Sequence, residues 1–114
     1  MRVIKRSETV SFSNSSTCSG FEFPFEDKNL NIAVVTVDGR YPDTGHLINE
    51  VCEEIAYALN GSDCIGVDDT IYDLSPGDAV MVQPGERFFW QGDKLQMLMP
   101  CSPAFYPEQH KEIS

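Results

Sequence analysis

Asn49–Gly61, NEVCEEIAYALNG, decides the fold, because the same residues can be read as two different structures. Read locally it is a helix: Asn49 can cap it, Val51, Ile55 and Leu59 recur at helical spacing, and Ala56 and Ala58 have high helix propensity. Gly61 stands where a C-terminal cap glycine belongs. Read as a strand, the even positions Glu50, Cys52, Glu54, Ala56 and Ala58 face one way and Ile55, Tyr57 and Leu59 the other. Propensity alone favours the helix, so the neighbouring segments must arbitrate.

Those neighbours read as strands and turns. Arg2–Ile4 is expected as a short first strand, and Ser11–Gly20, rich in Ser, Asn and Thr, as a loop. Phe21–Phe25 alternates aromatic residues around Pro24 like an edge strand, and Ile32–Val37 is a strand closed by the hairpin turn Asp38-Gly39. Arg40–Gly45 is loop-like. Cys64–Val67 and Thr70–Leu74 flank the turn Asp68-Asp69 as a hairpin, and Ala79–Val82 lies between SPGD and Pro84-Gly85. Phe88–Trp90 and Leu95–Met99 continue the meander, and Pro103 and Pro107 make the tail an extended segment lying over the domain. Short strands with turn signals between them predict a sandwich or barrel.

At 114 residues the chain suits one domain, 1–114, with one pocket. A net charge of −10 repels phosphate backbones and anionic membranes, so nucleic-acid and membrane partners are not expected. Arg2, Lys5 and Arg6 are followed by no apolar run, which leads to the expectation of a soluble, cytoplasmic protein. Cys18, Cys52, Cys64 and Cys101 form no CxxC pair and read as free thiols.

Two stretches carry a family resemblance. GDAVMVQPG, Gly77–Gly85, is similar to the start of the second cupin motif, and EEIAYALNG, Glu53–Gly61, to the end of the first, with six residues between Glu54 and Gly61. The chain thus resembles a small single-domain cupin over about 45–92. The resemblance implies an all-β, jelly-roll barrel (a double-stranded β-helix), and makes Ile55–Asn60 a strand. Cupins use two histidines before the glutamate and a third after the second motif; here those positions hold Ile48, Glu50 and Phe88. A longer spacing places the first pair at Leu47 and Asn49. Only Glu54 remains in kind, so the expectation is a cupin with no metal cofactor.

On a regular strand Glu50 and Glu54 share the interior face, and as catalytic residues they are the candidate acid and base pair. Phe88 and Trp90 are candidate aromatic walls of the pocket, Arg87 a candidate anchor for an anionic ligand, and His46 a candidate rim ligand. The expected function is binding of a small polar or ring-bearing metabolite, sugar-like or a carboxylate, with proton transfer of the isomerase, epimerase or lyase kind. One alternative is a divalent-metal enzyme binding manganese, iron, nickel or zinc through His46, Glu50 and Glu54. Another is a non-catalytic structural or interaction protein whose pocket is filled by its own side chains. The apolar outer face of Ile55, Tyr57 and Leu59 needs a cover, which predicts a homodimer, with Phe21–Phe25 as the other candidate cover.

Overall fold

A computed structural model describes all residues, 1–114. Nine strands run in chain order as β1 (Val10–Ser15), β2 (Cys18–Glu22), β3 (Asn31–Tyr41), β4 (His46–Asn49), β5 (Glu53–Val67), β6 (Thr70–Leu74), β7 (Ala79–Val82), β8 (Phe88–Ser102) and β9 (His110–Ile113). Helical backbone is limited to two three-residue 3₁₀ turns, Arg6–Glu8 and Pro107–Gln109. The ambiguous stretch is therefore strand from Glu53 onward, against its helix propensity. Ala56 and Ala58 are buried on the inner face while Ile55, Tyr57 and Leu59 point outward, as the even and odd positions of a strand must. Gly61 does have the positive φ that a helix cap would require, at +74°, but uses it in a β-bulge where β5 slips register against β8.

Strands β5 and β8 pair antiparallel along their whole lengths, from Glu53 opposite Ser102 to Val67 opposite Phe88. The other edge of β8 carries β3, from Asn31 opposite Cys101 to Tyr41 opposite Trp90. The other edge of β5 carries β7 and β6 in turn. The β1–β2 hairpin extends the sheet beyond β3, and β4 joins β8 at Leu47 opposite Phe88 and pairs with β9. The sheet curls so that Val35, Val37, Ala56, Ala58, Ile65, Leu95, Met97 and Met99 converge on one core.

Several local expectations change. Arg2–Ile4 is not a strand, and Ser11–Gly20 is not a loop but most of the β1–β2 hairpin. Polar residues suffice there because β1 is an edge strand whose largest inward side chain, Phe12, packs over Gly20 directly opposite. Asp38-Gly39 does not turn the chain back; it is a bulge inside β3, where the Asp38 carboxylate accepts a bond from the Lys94 amide. Phe88–Trp90 and Leu95–Met99 belong to one strand, and the tail ends as β9. Phe23–Phe25 lies outside any strand.

A Cβ added to Gly61 would collide with the Lys94 carbonyl and force a side chain into a left-handed conformation. Gly61→Ala is expected to cost about 1–3 kcal/mol from the backbone alone, and more from the collision. Gly85→Ala also has a positive φ but open space around the new methyl, and should lose less. Urea denaturation of the two variants checks the difference.

Candidate functional site

The curled sheet encloses a cavity of about 370 Å³. Phe88 and Trp90, packed edge to face with centroids 6.1 Å apart, form one wall, and Phe12, Val35, Leu47 and Met99 continue the apolar lining. The C-terminal segment supplies Phe105, Tyr106 and His110 to the lining. Polar groups enter at few points, chiefly Glu54, Tyr41 and His110, with Glu22 and Asn31 also on the wall.

Three of these groups are joined through Asn49, which is fully buried. Its Nδ2 donates to Glu54 Oε1 at 3.3 Å, and its Oδ1 lies 2.9 Å from His110 Nδ1. An amide that donates to the carboxyl presents its oxygen to the imidazole, so His110 Nδ1 carries the proton. Nε2 is then free to accept from the Tyr41 hydroxyl, 3.2 Å away, and the two rings stack at 17°. Burial raises the Glu54 carboxyl from its ordinary 4.5 to about 7, a shift to which the charge of Cys52 adds and from which the Asn49 bond subtracts. Burial lowers His110 and raises the Tyr41 phenol. Just below pH 7 the acid therefore still holds its proton where the imidazole has lost its own.

The C-terminal segment is pinned where it must be to deliver His110. Buried Gln109 accepts from the amides of Val51 and Cys52 at 3.0 Å each and donates to Cys52 Sγ at 2.9 Å. The neighbouring Cys101 and, after it, the Gln109 bond lower Cys52, while Cys101 is raised by Cys52 and by burial. On the cavity wall, burial pushes Cys18 up to about 11, so its thiol stays protonated.

The structure separates the sequence candidates. Glu54, Phe88 and Trp90 line the cavity. Glu50 does not: the chain bends at Glu50-Val51, and its carboxylate is exposed, 4.0 Å from Lys111 Nζ. The bend shifts the alternation, so odd positions Leu47 and Asn49 face inward in β4 while even positions do so in β5. Parity counted across Asn49–Gly61 fails for that reason. His46 accordingly faces away from the cavity against Phe89, its Nδ1 buried without a hydrogen-bond partner. Arg87 is exposed and lies outside the cavity wall. His110 is the residue that sequence reading missed, along with Tyr41 and Asn49. Only the longer spacing that put Leu47 and Asn49 in the first motif pointed at any of them.

On the longer of the two motif spacings, the positions that the resemblance assigns to a metal hold Leu47, Asn49, Glu54 and Phe88. Two of the four have no donor atom and a third is a neutral amide already bonded on both sides, which does not fit a divalent cation. The alternative set of His46, Glu50 and Glu54 does not converge, and no group of three or more His, Cys, Asp or Glu side chains is placed to hold an ion.

No protein-family model and no curated protein matches the chain. Solved structures do. The nucleoside dehydratase Pac13 superposes with a TM-score of 0.86 at 16% identity, over 99% of this chain and 91% of that one. Ectoine synthase from P. lautus gives 0.78 at 16% over 100% and 91%, and an RmlC-like cupin from Shewanella frigidimarina 0.73 at 18% over 91% and 92%. The chain has the cupin fold, all-β, as the two motifs implied. No helix is long and apolar enough to cross a membrane.

Between pH 4.5 and about 7 the folded chain holds a proton on Glu54 that the unfolded chain releases, so this group makes stability fall as pH rises. Glu54→Gln should remove that slope. Relative to wild type it is expected to gain on the order of 2 kcal/mol between pH 4.5 and pH 8. Chemical denaturation at the two pH values checks the sign.

Proposed function

We propose that the cavity binds a small ring-bearing metabolite and moves a proton on it, with Glu54 on one side and the Tyr41–His110 pair on the other. The observation that carries this reading is the continuous hydrogen-bonded path from Glu54 through Asn49 and His110 to Tyr41 along the wall of one cavity. At about 370 Å³ the cavity falls within the range of small-molecule sites, about 300–1,000 Å³, and its open volume argues against a pocket filled by its own side chains. Flat aromatic walls favour a ring, and a similar fold is known with uridine, in a Streptomyces variant of Pac13.

In this reading the Glu54 carboxyl donates a proton to the ligand. The Tyr41 hydroxyl accepts one from it while passing its own to His110 Nε2, a concerted shuttle that avoids a buried phenolate. The acid and base pair is therefore Glu54 with His110, in place of Glu54 with Glu50. Asn49 fixes the distance and the tautomer. The active form needs Glu54 protonated and His110 neutral, so transfer should fall as pH rises above about 7, and fall again below the lowered titration of His110.

A metabolite library screened by ligand-observed NMR identifies the ligand, and deuterium uptake from D₂O into it reads proton transfer. Glu54→Gln is expected to keep binding and slow uptake by roughly 10²–10⁴-fold, and His110→Gln to do likewise. Unchanged uptake in Glu54→Gln would reject the assignment.

We propose also that two copies pair through the outer face of β5 and β7. Ile55, Tyr57, Leu59 and Met81 are between 36% and 47% exposed there, a contiguous apolar patch. The other candidate cover, Phe21–Phe25, spans the end of β2 and the residues after it on the far side of β3 and leaves these residues exposed. Light scattering at micromolar concentration should give twice the mass of the chain, and Tyr57→Asp should halve it.

A further inference from the structure

The cavity wall has an asymmetry of charge. Two carboxyl side chains, Glu54 and Glu22, line it, and no Lys or Arg does. Of the eight cationic side chains, Arg6 lies over the outer ring of Phe21 and Arg40 is held against Phe89 by the carbonyls of Pro42 and Gly45. Lys111 faces Glu50, Arg2 lines a separate surface hollow beside Asp27, and Lys5, Lys28, Arg87 and Lys94 lie outside the cavity wall. The only basic group within reach of a ligand is His110, whose Nδ1 proton is spent on Asn49 and whose Nε2 faces Tyr41.

Nor does the backbone offer an anion site. Most of the wall is built from strands, whose inner face presents side chains, and in the C-terminal segment the Phe105 amide is taken by Asn31 and Pro107 has none. The fold has no α-helix to direct an N-terminus at the cavity. Glu22, on the inner face of β2 between Val10 and Ala33, makes no ion pair and no side-chain hydrogen bond, so nothing in the protein neutralises it.

We infer that the site takes ligands without negative charge, uncharged or cationic ring compounds, and rejects carboxylates and phosphates, with Glu22 as a specificity-determining residue beside Glu54. This rests on the reading of the cavity as a ligand site, and it removes the anionic ligand that Arg87 had suggested. A carboxylate or phosphate entering here would give up water for a partly desolvated wall that offers it no cationic partner and sets the Glu22 carboxylate against it.

The test uses matched pairs on the full chain at pH 7.5 and low salt: uridine against uridine 5′-monophosphate, and benzamide and benzylamine against benzoate. Affinities are read by NMR titration, with Phe88→Ala used to show that binding is in the cavity. The uncharged or cationic member is expected to bind at least about tenfold more tightly, about 1.4 kcal/mol, and Glu22→Gln to narrow the gap. An anionic member that binds as tightly as its partner would overturn the charge filter alone. A gap unchanged in Glu22→Gln would overturn the role of Glu22. If no member of either set, and no compound of a wider fragment library, binds in the cavity, the ligand-site reading fails and this inference with it.

Discussion

Strands β5 and β8 are hydrogen-bonded to each other over nearly their full fifteen residues, and the remaining structure is arranged on what that pairing leaves open. Their free edges receive β3 on one side and β6 and β7 on the other. A pairing this long cannot stay flat, because twist accumulates along it and the bulges around Asn60 add to it. The sheet therefore curls, and residues far apart in the chain face each other across its concave side. Filling that space near β5 and β8 with Ala56, Ala58, Leu95 and Met97 makes a core. Toward Glu54 and Trp90 the space is left open, and that is the cavity.

The chemistry of the cavity follows from burial without counter-charge. A carboxyl, an imidazole and a phenol removed from water each favour their uncharged form, so the same desolvation moves Glu54 and Tyr41 up and His110 down. Asn49 is suited to such a cluster because an amide donates to one neighbour and accepts from another without carrying charge. At the corresponding positions of a metal-binding cupin, imidazoles would surround a cation. Here Asn49 holds the Glu54 carboxyl, and Leu47 and Phe88 line the same cavity.

The C-terminal segment is part of the site as well as a cover for it. Gln109 ties it to the bend between β4 and β5, and β9 pairs with β4 from His46 opposite Ile113 to Asn49 opposite His110. That register sets His110 beside Asn49. The same bend turns Glu50 outward and Glu54 inward, so one local irregularity both dismisses one carboxylate from the cavity and anchors the segment that brings the histidine in.

What the sequence by itself determined was carried by short-range signals. The hairpin of Cys64–Val67 and Thr70–Leu74, the strand Ala79–Val82 between its two turns, and the inward parity of Phe88 and Trp90 all depend on neighbours a few residues apart. Tertiary structure decided the rest. Gly61 has the same positive φ in a helix cap as in a bulge, so only the Lys94 carbonyl pressed against it distinguishes the two. Strand alternation predicts a face only until the chain bends, and nothing local announced the bend at Glu50-Val51. Tyr41 and His110 are 69 residues apart, and Asn49 and His110 are 61 apart. Their meeting is set by sheet pairing between segments whose own propensities are silent about each other, because contacts of that range are stabilised by the closed sheet as a whole and by no local preference.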